Sequence, residues 1–535
     1  VETLPAIDSS RGERDPLTGH LLIVLAISAG FELLFLHAGV SWLDEGWPLY
    51  AAMRLHAGGV LYHDVLWVFP PGHLAVAWLA RAIDPPGVLL ARALYGLFDV
   101  ALCISLYFLG RRVMAPRFAL LGALLVALSA SRSHYLHLLF GYRYLVWSIL
   151  ALLALDQRLR GGAATWIVAA GAFTGIGLVF RLTPAFATGC GVAAALLATH
   201  RDWRRTLGDA ARFGLGLAAV TAPVLVWLAV RVGLSQVWRE LLVHPLEMLQ
   251  PLEMPELALP GEWTRAKLYG GFVAVLFRAL WVLYSGYALA LVALWLRARR
   301  RGEAFRHGLL TAVVVMGAVF ALRTLGRSDD HHLNSALPPF CLLLAHALAT
   351  LLQRARRRAP GGGRRAAELA WCGGLLLLWA WLGEADLYLD PEVRGRIPLR
   401  SLEGRVHVRP QPRLVRMDRE VAWIRRHTPP GRLLLDLSAS PLLYVVAQRA
   451  GPGWLDVVMP GTFTSRRQDL QFVELLERSP PAVVVWPRQP FDGMRERSLE
   501  RTAPELAAWV RAHYRTARRT RDYLLMLPAP EVRAP

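Results

Sequence analysis

From residue 20 to residue 384, long apolar runs alternate with short arginine-bearing turns, a pattern that predicts a polytopic bundle of membrane helices. A spanning helix takes about 20 mostly apolar residues. Eleven runs approach that length, at 20–40, 87–110, 118–133, 138–156, 163–181, 184–199, 209–231, 268–297, 307–325, 333–352 and 366–384. Every second turn is basic: Arg111, Arg112 and Arg117, then Arg158 and Arg160, then Arg201, Arg204 and Arg205. Arg297 with Arg299 to Arg301, and Arg354 with Arg356 to Arg358, continue the series. By the positive-inside rule these turns face the cytoplasm, as does the N-terminus. An odd number of spans then leaves the C-terminal tail on the extracytoplasmic side. The first run, Leu21 to Val40, is long enough to cross and reads as a retained anchor rather than a cleaved leader.

Between the first two runs lies an external loop, 41–86, holding Trp42, Trp47, Trp67, Trp78 and Tyr62, amphipathic aromatics suited to an interface. Within it Gly72 to Ile83 is apolar but too short to cross, which predicts a helix lying on the membrane. Two further external loops, 232–267 and 326–335, are rich in charge. From residue 385 the pattern becomes that of a soluble layer. Strands are expected at Leu433 to Leu437, Ala482 to Val485 and Tyr523 to Leu527, with helices at Val415–Arg426, Asp469–Arg478 and Glu505–His513 between them. The expected architecture is mainly α: a membrane helical bundle over 1–384, followed by a small extracytoplasmic α/β domain over 385–535.

The 535-residue chain is 55% hydrophobic, with a mean hydropathy of +0.36, above the range of soluble domains. Its net charge of +20 sits in the turns between spans, so topology accounts for it and nucleic acid is not an expected partner. Lys267 is the only lysine. Cys103, Cys190, Cys341 and Cys372 lie scattered in apolar runs and read as small core residues. The tail has no glycine-rich phosphate fingerprint, which argues against a nucleotide. No internal repeat is visible, which weighs against a lipid or solute transporter built from inverted halves.

The candidate chemistry is densest where the first run ends. SWLDEGWPLY carries the acidic pair Asp44-Glu45 at a membrane face, followed by a Tyr-His-Asp turn at Tyr62 to Asp64 and by Pro70-Pro71-Gly72. LARALYG, with Arg92, opens the second run, and FTGIGLVFRLTP joins the fifth to the sixth. In their order and membrane placement these features resemble the GT-C membrane glycosyltransferases, in particular the protein O-mannosyltransferase and lipid A aminoarabinose transferase superfamily. The resemblance covers roughly the first 200 residues.

The resemblance implies transfer of a sugar from a polyprenyl-phosphate donor to a glycan, lipid or protein acceptor on the outer face of a bacterial inner membrane. It gives Asp44 the role of general base or ligand of a divalent cation such as Mg or Mn, with Glu45 beside it. The chemistry agrees, since an acceptor hydroxyl needs a base within hydrogen-bond reach. Capping of the helix that follows is the competing reading for both acids. Arg181, at the outer end of the fifth run, suits the carrier phosphate as a permanently charged fork. Snorkelling toward head groups is its alternative.

Relatives often carry another acid in the second external loop, whereas Ser131 to Tyr144 has no carboxylate and offers Arg132, His134, His137, Tyr142 and Arg143 instead. His63 and Asp64 are candidates for the missing acceptor or metal ligands. In GRSDDHHLNSALPP, Arg327 and His331 suit the donor phosphate, and Asp329 and Asp330 suit acceptor or metal contacts. An N-cap role for Asp329 is the alternative. Asp99, near the middle of the second run, is expected to pair with an arginine such as Arg92 in a structural role. Glu247, Glu253, Glu256 and Glu262 read as solvated loop acids. A non-catalytic scaffold of envelope assembly is the remaining alternative, since it accounts for the missing loop acid.

Overall fold

The computed structural model describes residues 16–129, 143–249, 265–323, 325, 333–358, 364–389, 397–408, 412–490 and 494–530. Among the described residues, six helices are long and apolar enough to cross a membrane: Leu17–Phe35, Val88–Val113, Leu182–Thr199, Trp203–Val232, Ala274–Arg300 and Asn334–Ala355. Pro116–Ser129, Thr165–Phe180, Gly308–Arg323 and Glu368–Ala380 are shorter apolar helices. Their ends follow local chemistry. Asp202 caps Trp203–Val232 by accepting the Arg204 amide at 3.0 Å, and the helix stops at Gly233, whose φ of +83° suits a residue without a Cβ.

Small residues set how closely these helices approach. A Cβ on Gly171 would meet the Phe213 carbonyl oxygen at 1.9 Å, and one on Gly216 would meet that of Val168 at 1.9 Å. Thr165–Phe180 and Trp203–Val232 therefore touch backbone to backbone. In lipid, helices associate by such van der Waals contact rather than by expelling water. At the basic end of the bundle, buried acids collect the arginines. Asp209 accepts from Arg158 at 3.0 Å, from Arg212 at 3.2 Å and pairs with His200 at 3.1 Å. Asp156 holds Arg160 at 2.7 Å and Arg112 at 3.4 Å. Buried carboxylates need such partners.

Residues 397–530 build two sheets. β1 (Ile397–Pro398) pairs antiparallel with β2 (His407–Val408). β3 (Leu434–Asp436), β4 (Val483–Pro487), β5 (Tyr514–Arg519) and β6 (Tyr523–Pro528) form a sheet in the order β3-β4-β6-β5. β3 runs parallel to β4, with Leu435 opposite Val484, and β6 runs antiparallel to both of its neighbours. Helices Pro412–His427, Arg466–Arg478 and Pro504–His513 lie between the strands in sequence. Asp469 joins two of these helices by accepting the amides of Glu505 and Leu506 at 2.9 and 3.1 Å.

The loop over 41–86 does not stand apart from the tail. It forms helices Gly46–His56 and Gly72–Ile83, the second over the residues that the apolar run predicts. Trp47, Trp67 and Leu74 of the loop share one buried core with Leu435, Phe472 and Val484 of the tail. Leu49 and Tyr50 share another with Leu434, Tyr444 and Val483. Backbone bonds close the contact: Gly39 donates to the His407 carbonyl at 2.7 Å, His407 to that of His37 at 2.8 Å, and Leu66 to that of Trp454 at 3.1 Å.

Candidate functional site

The two acids at the end of the first membrane helix have different surroundings. Glu45 is 1% exposed, and the Arg92 guanidinium grips it with Nε on Oε1 at 2.6 Å and Nη2 on Oε2 at 2.7 Å. The Ser41 amide adds a third bond to Oε2 at 3.0 Å. Arg92 also donates to the carbonyls of Leu36 and Gly39 at 2.9 and 2.7 Å, so one side chain ties the loop entrance to the Val88–Val113 helix. Asp44 is half-buried, and its Oδ2 accepts from Ser41 Oγ at 2.9 Å. Glu45 occupies the N-cap position of Gly46–His56 without a side-chain cap bond. Its carboxylate is committed to Arg92 instead.

In the first turn of that helix, Trp47 enters an aromatic cluster with Trp67 and Phe69, their ring centroids 5.4–5.9 Å apart. The cluster is fixed by its indoles: Trp47 Nε1 donates to the Leu66 carbonyl at 2.9 Å, and Trp67 Nε1 to that of Pro70 at 3.2 Å. Arg181 lies on the far side, its guanidinium carbon 5.0 Å from the centre of the Phe69 ring. It sits in extended backbone between Thr165–Phe180 and Leu182–Thr199, 6% exposed, with Tyr144 Oη 3.4 Å from Nη1. Phe69 thus links the helix that begins behind Asp44 to the buried Arg181.

His73, in the first turn of Gly72–Ile83, also faces this region. Its ring bonds to Tyr95 through Nδ1 and packs edge-on against Tyr144 and Phe180 at 5.4 and 5.5 Å. Burial, reinforced by the Arg181 charge, pushes its pKa down to about 3, so it is neutral at physiological pH. No motif marked His73 in the sequence. Its signal is a histidine following Pro-Pro-Gly at the start of an apolar helix.

His63 and Asp64 form an exposed pair at 2.7 Å, the His63 side chain 74% accessible. The Val60 amide, with His63 adding to it, lowers the Asp64 pKa, so this carboxylate is ionised and spent on its own turn. Asp99 does not pair with Arg92, whose guanidinium is occupied by Glu45 and loop carbonyls. Its charged neighbours are Glu32 and Arg143, and Arg143 bridges to Glu32 at 3.0 Å. Glu247 is exposed. Arg327, Asp329, Asp330 and His331 lie outside the described residues, as do Arg132, His134, His137, Tyr142, Glu253, Glu256 and Glu262. Among the described residues, no three His, Cys, Asp or Glu side chains converge as a metal site.

No family model matches the chain, and no curated protein matches it in sequence. Its fold, however, is found in solved structures along nearly its whole length. ArnT from Cupriavidus metallidurans, solved bound to undecaprenyl phosphate, superposes with a TM-score of 0.60 at 15% identity, over 97% of this chain and 99% of that one. The apo form of ArnT gives 0.57 at 15% identity, over 97% and 100%. The archaeal oligosaccharyltransferase AglB from Archaeoglobus fulgidus, in complex with an inhibitory peptide and a dolichol-phosphate, gives 0.52 at 14% identity, over 97% and 75%.

The chain has the GT-C fold. Within this GT-C frame, the aromatic cluster joins the start of the Gly46–His56 helix, next in sequence to the acidic pair, to Arg181. Sequence reasoning missed the structural half of the site. The sequence marks Arg92 but not its pairing with Glu45, and it does not mark Tyr50, Arg54 and Asp456 at all, because their partners lie 47 to 402 positions away.

Proposed function

We propose that the chain is a membrane glycosyltransferase that moves a sugar from a polyprenyl-phosphate donor to an acceptor hydroxyl on the extracytoplasmic side. The observation that carries this reading is the division of labour in the acidic pair. Glu45 is gripped by Arg92 in a buried pair, whereas its neighbour Asp44 is half-buried and bonds to Ser41 within a GT-C fold. The donor class is supported by ArnT and AglB, one solved with undecaprenyl phosphate and the other with a dolichol-phosphate.

In this reading Asp44 takes the acceptor proton as the acceptor oxygen attacks the anomeric carbon. The bond from that carbon to the phosphate oxygen breaks, and the electron pair leaves with the polyprenyl phosphate. Arg181, with Arg327 and His331, stabilises the negative charge that grows on the phosphate, and fixed cations there lower the barrier. Glu45 holds the loop and touches no substrate. We assign eleven spans over 1–384, an N-terminus in the cytoplasm and an extracytoplasmic domain over 385–535, in keeping with the alternation of basic turns. The pair His63-Asp64 and the acids Asp329 and Asp330 remain the proposed acceptor or cation contacts, and activity after chelation tests the cation.

The test is reconstitution in vesicles loaded with polyprenyl-phosphate-linked sugars. Loss of the glycosylated lipid, with matching appearance of free polyprenyl phosphate and a glycosylated acceptor, supports the reading. Donor binding without turnover favours the scaffold alternative, which the lack of an acid in Ser131 to Tyr144 also suggests.

A further inference from the structure

The Gly46–His56 helix presents a stripe at four-residue spacing to the tail: Gly46, Tyr50 and Arg54. A Cβ on Gly46 would lie 2.1 Å from the Leu442 nitrogen, so only glycine admits this approach. Tyr50 stacks on Tyr444 with centroids 4.2 Å apart, and its Oη accepts the Gly451 amide at 2.5 Å. Arg54 bonds to the Gly453 carbonyl and pairs with Asp456 at 2.6 Å, an aspartate with no exposed side-chain surface. The Leu442 amide meanwhile donates to the Trp42 carbonyl at 3.0 Å. Leu442 therefore touches residue 42 on one side of Asp44 and residue 46 on the other.

The tail segment is itself built to hold a shape. Asp436 accepts the amides of Ser438 and Ser440 at 3.0 and 2.6 Å, and its own amide donates to Tyr444 Oη at 2.8 Å. That turn delivers Leu442 and Tyr444 to the loop. The membrane side is pinned separately, through Glu45 and Arg92. Asp44 thus sits between two clamps, one on the bundle and one on the tail.

We propose that the tail segment 436–456 is a positioning element for Asp44, with Leu442, Tyr444 and Asp456 acting through the Gly46–His56 helix. The inference rests on Asp44 being the base of the proposed transfer. It assigns to the tail a part in catalysis other than binding the acceptor. A general base must lie within hydrogen-bond reach of the proton it takes, and a displacement of about 1 Å costs about a hundredfold in rate. A loop held only by its two membrane ends does not meet that tolerance.

The experiment uses the full chain with Gly46→Ala and Tyr50→Phe, the second of which keeps the stack on Tyr444 and removes the hydroxyl that accepts the Gly451 amide and bonds with Arg54. Two readouts are taken on folded protein: kcat and KM for the lipid donor across pH, and amide hydrogen exchange of residues 41–46. Positioning predicts faster exchange at 41–46, a fall in kcat of about 10- to 100-fold with KM unchanged, and a shift in the pH limb assigned to Asp44. A wild-type kcat and pH profile per folded molecule overturns the inference, as does unchanged exchange. If Gly46→Ala does not fold, Tyr50→Phe decides alone. A wild-type chain that transfers no sugar refutes the proposed activity, and the exchange data still decide whether the tail holds the acidic segment.

Discussion

Arg92 chelates Glu45 through two nitrogens at 2.6 and 2.7 Å, so adjacent acids in the chain serve different ends. The pair is buried, and removing one partner strands the other charge. Glu45→Gln is expected to destabilise the protein by about 3–5 kcal/mol. Thermal unfolding in detergent measures this, and an unchanged midpoint would remove Glu45 from the structural role given to it here.

Arg181 is expected to act on donor binding. Hydrogen bonds to charged groups are worth about 1.5–3 kcal/mol, so Arg181→Ala should weaken polyprenyl phosphate binding by roughly 10- to 100-fold. Arg181→Lys should recover part of the loss, because it restores the charge without the planar fork. Native mass spectrometry with titrated polyprenyl phosphate reads both variants, and equal retention by Arg181→Ala would rule out the contact.

The backbone contact at Gly216 leaves no room for a side chain. Gly216→Val should force Thr165–Phe180 away from Trp203–Val232, at a cost of about 1–3 kcal/mol. A lowered unfolding temperature checks it, whereas the half-buried Gly208, with nothing nearer than an arginine tip at 3.5 Å, should tolerate alanine.

Asp456 gives the seam between loop and tail a pH dependence. Burial pushes its carboxyl up to about 7 against the pull of Arg54. A raised carboxyl pKa means that the folded state binds the proton more tightly than the unfolded chain. Its contribution is therefore full below the ordinary carboxylate pKa and is lost as the pH rises toward 7. Unfolding midpoints taken across that window should fall with rising pH in the wild type and flatten in Asp456→Asn. Parallel curves would show that another group sets the dependence.

Six of the expected runs hold helices long and apolar enough to cross among the described residues, and they were legible because a spanning run is a local property of the chain. Gly72–Ile83 was legible for the same reason, being too short to cross and mostly apolar. In the larger sheet β3, β4 and β6 lie where runs of Leu, Val and Tyr predicted strands. β5 was not foreseen, because Tyr-Arg-Thr-Ala-Arg-Arg is an exposed edge strand with no apolar alternation. The site was half legible. Asp44, Glu45 and Arg181 stood out as charges at membrane faces, but their neighbours depend on tertiary contact. Nothing local distinguishes the Arg54–Asp456 pair across 402 residues, or shows that Arg92 prefers Glu45 to Asp99.

The most direct test of the account is the rate of sugar transfer from a polyprenyl-phosphate donor by Asp44→Asn, measured beside wild type on equal amounts of folded protein. The account predicts a folded, donor-binding protein whose kcat falls by about 10²–10⁴-fold, the usual contribution of a positioned base. Transfer at the wild-type rate would contradict it and remove Asp44 from the chemistry.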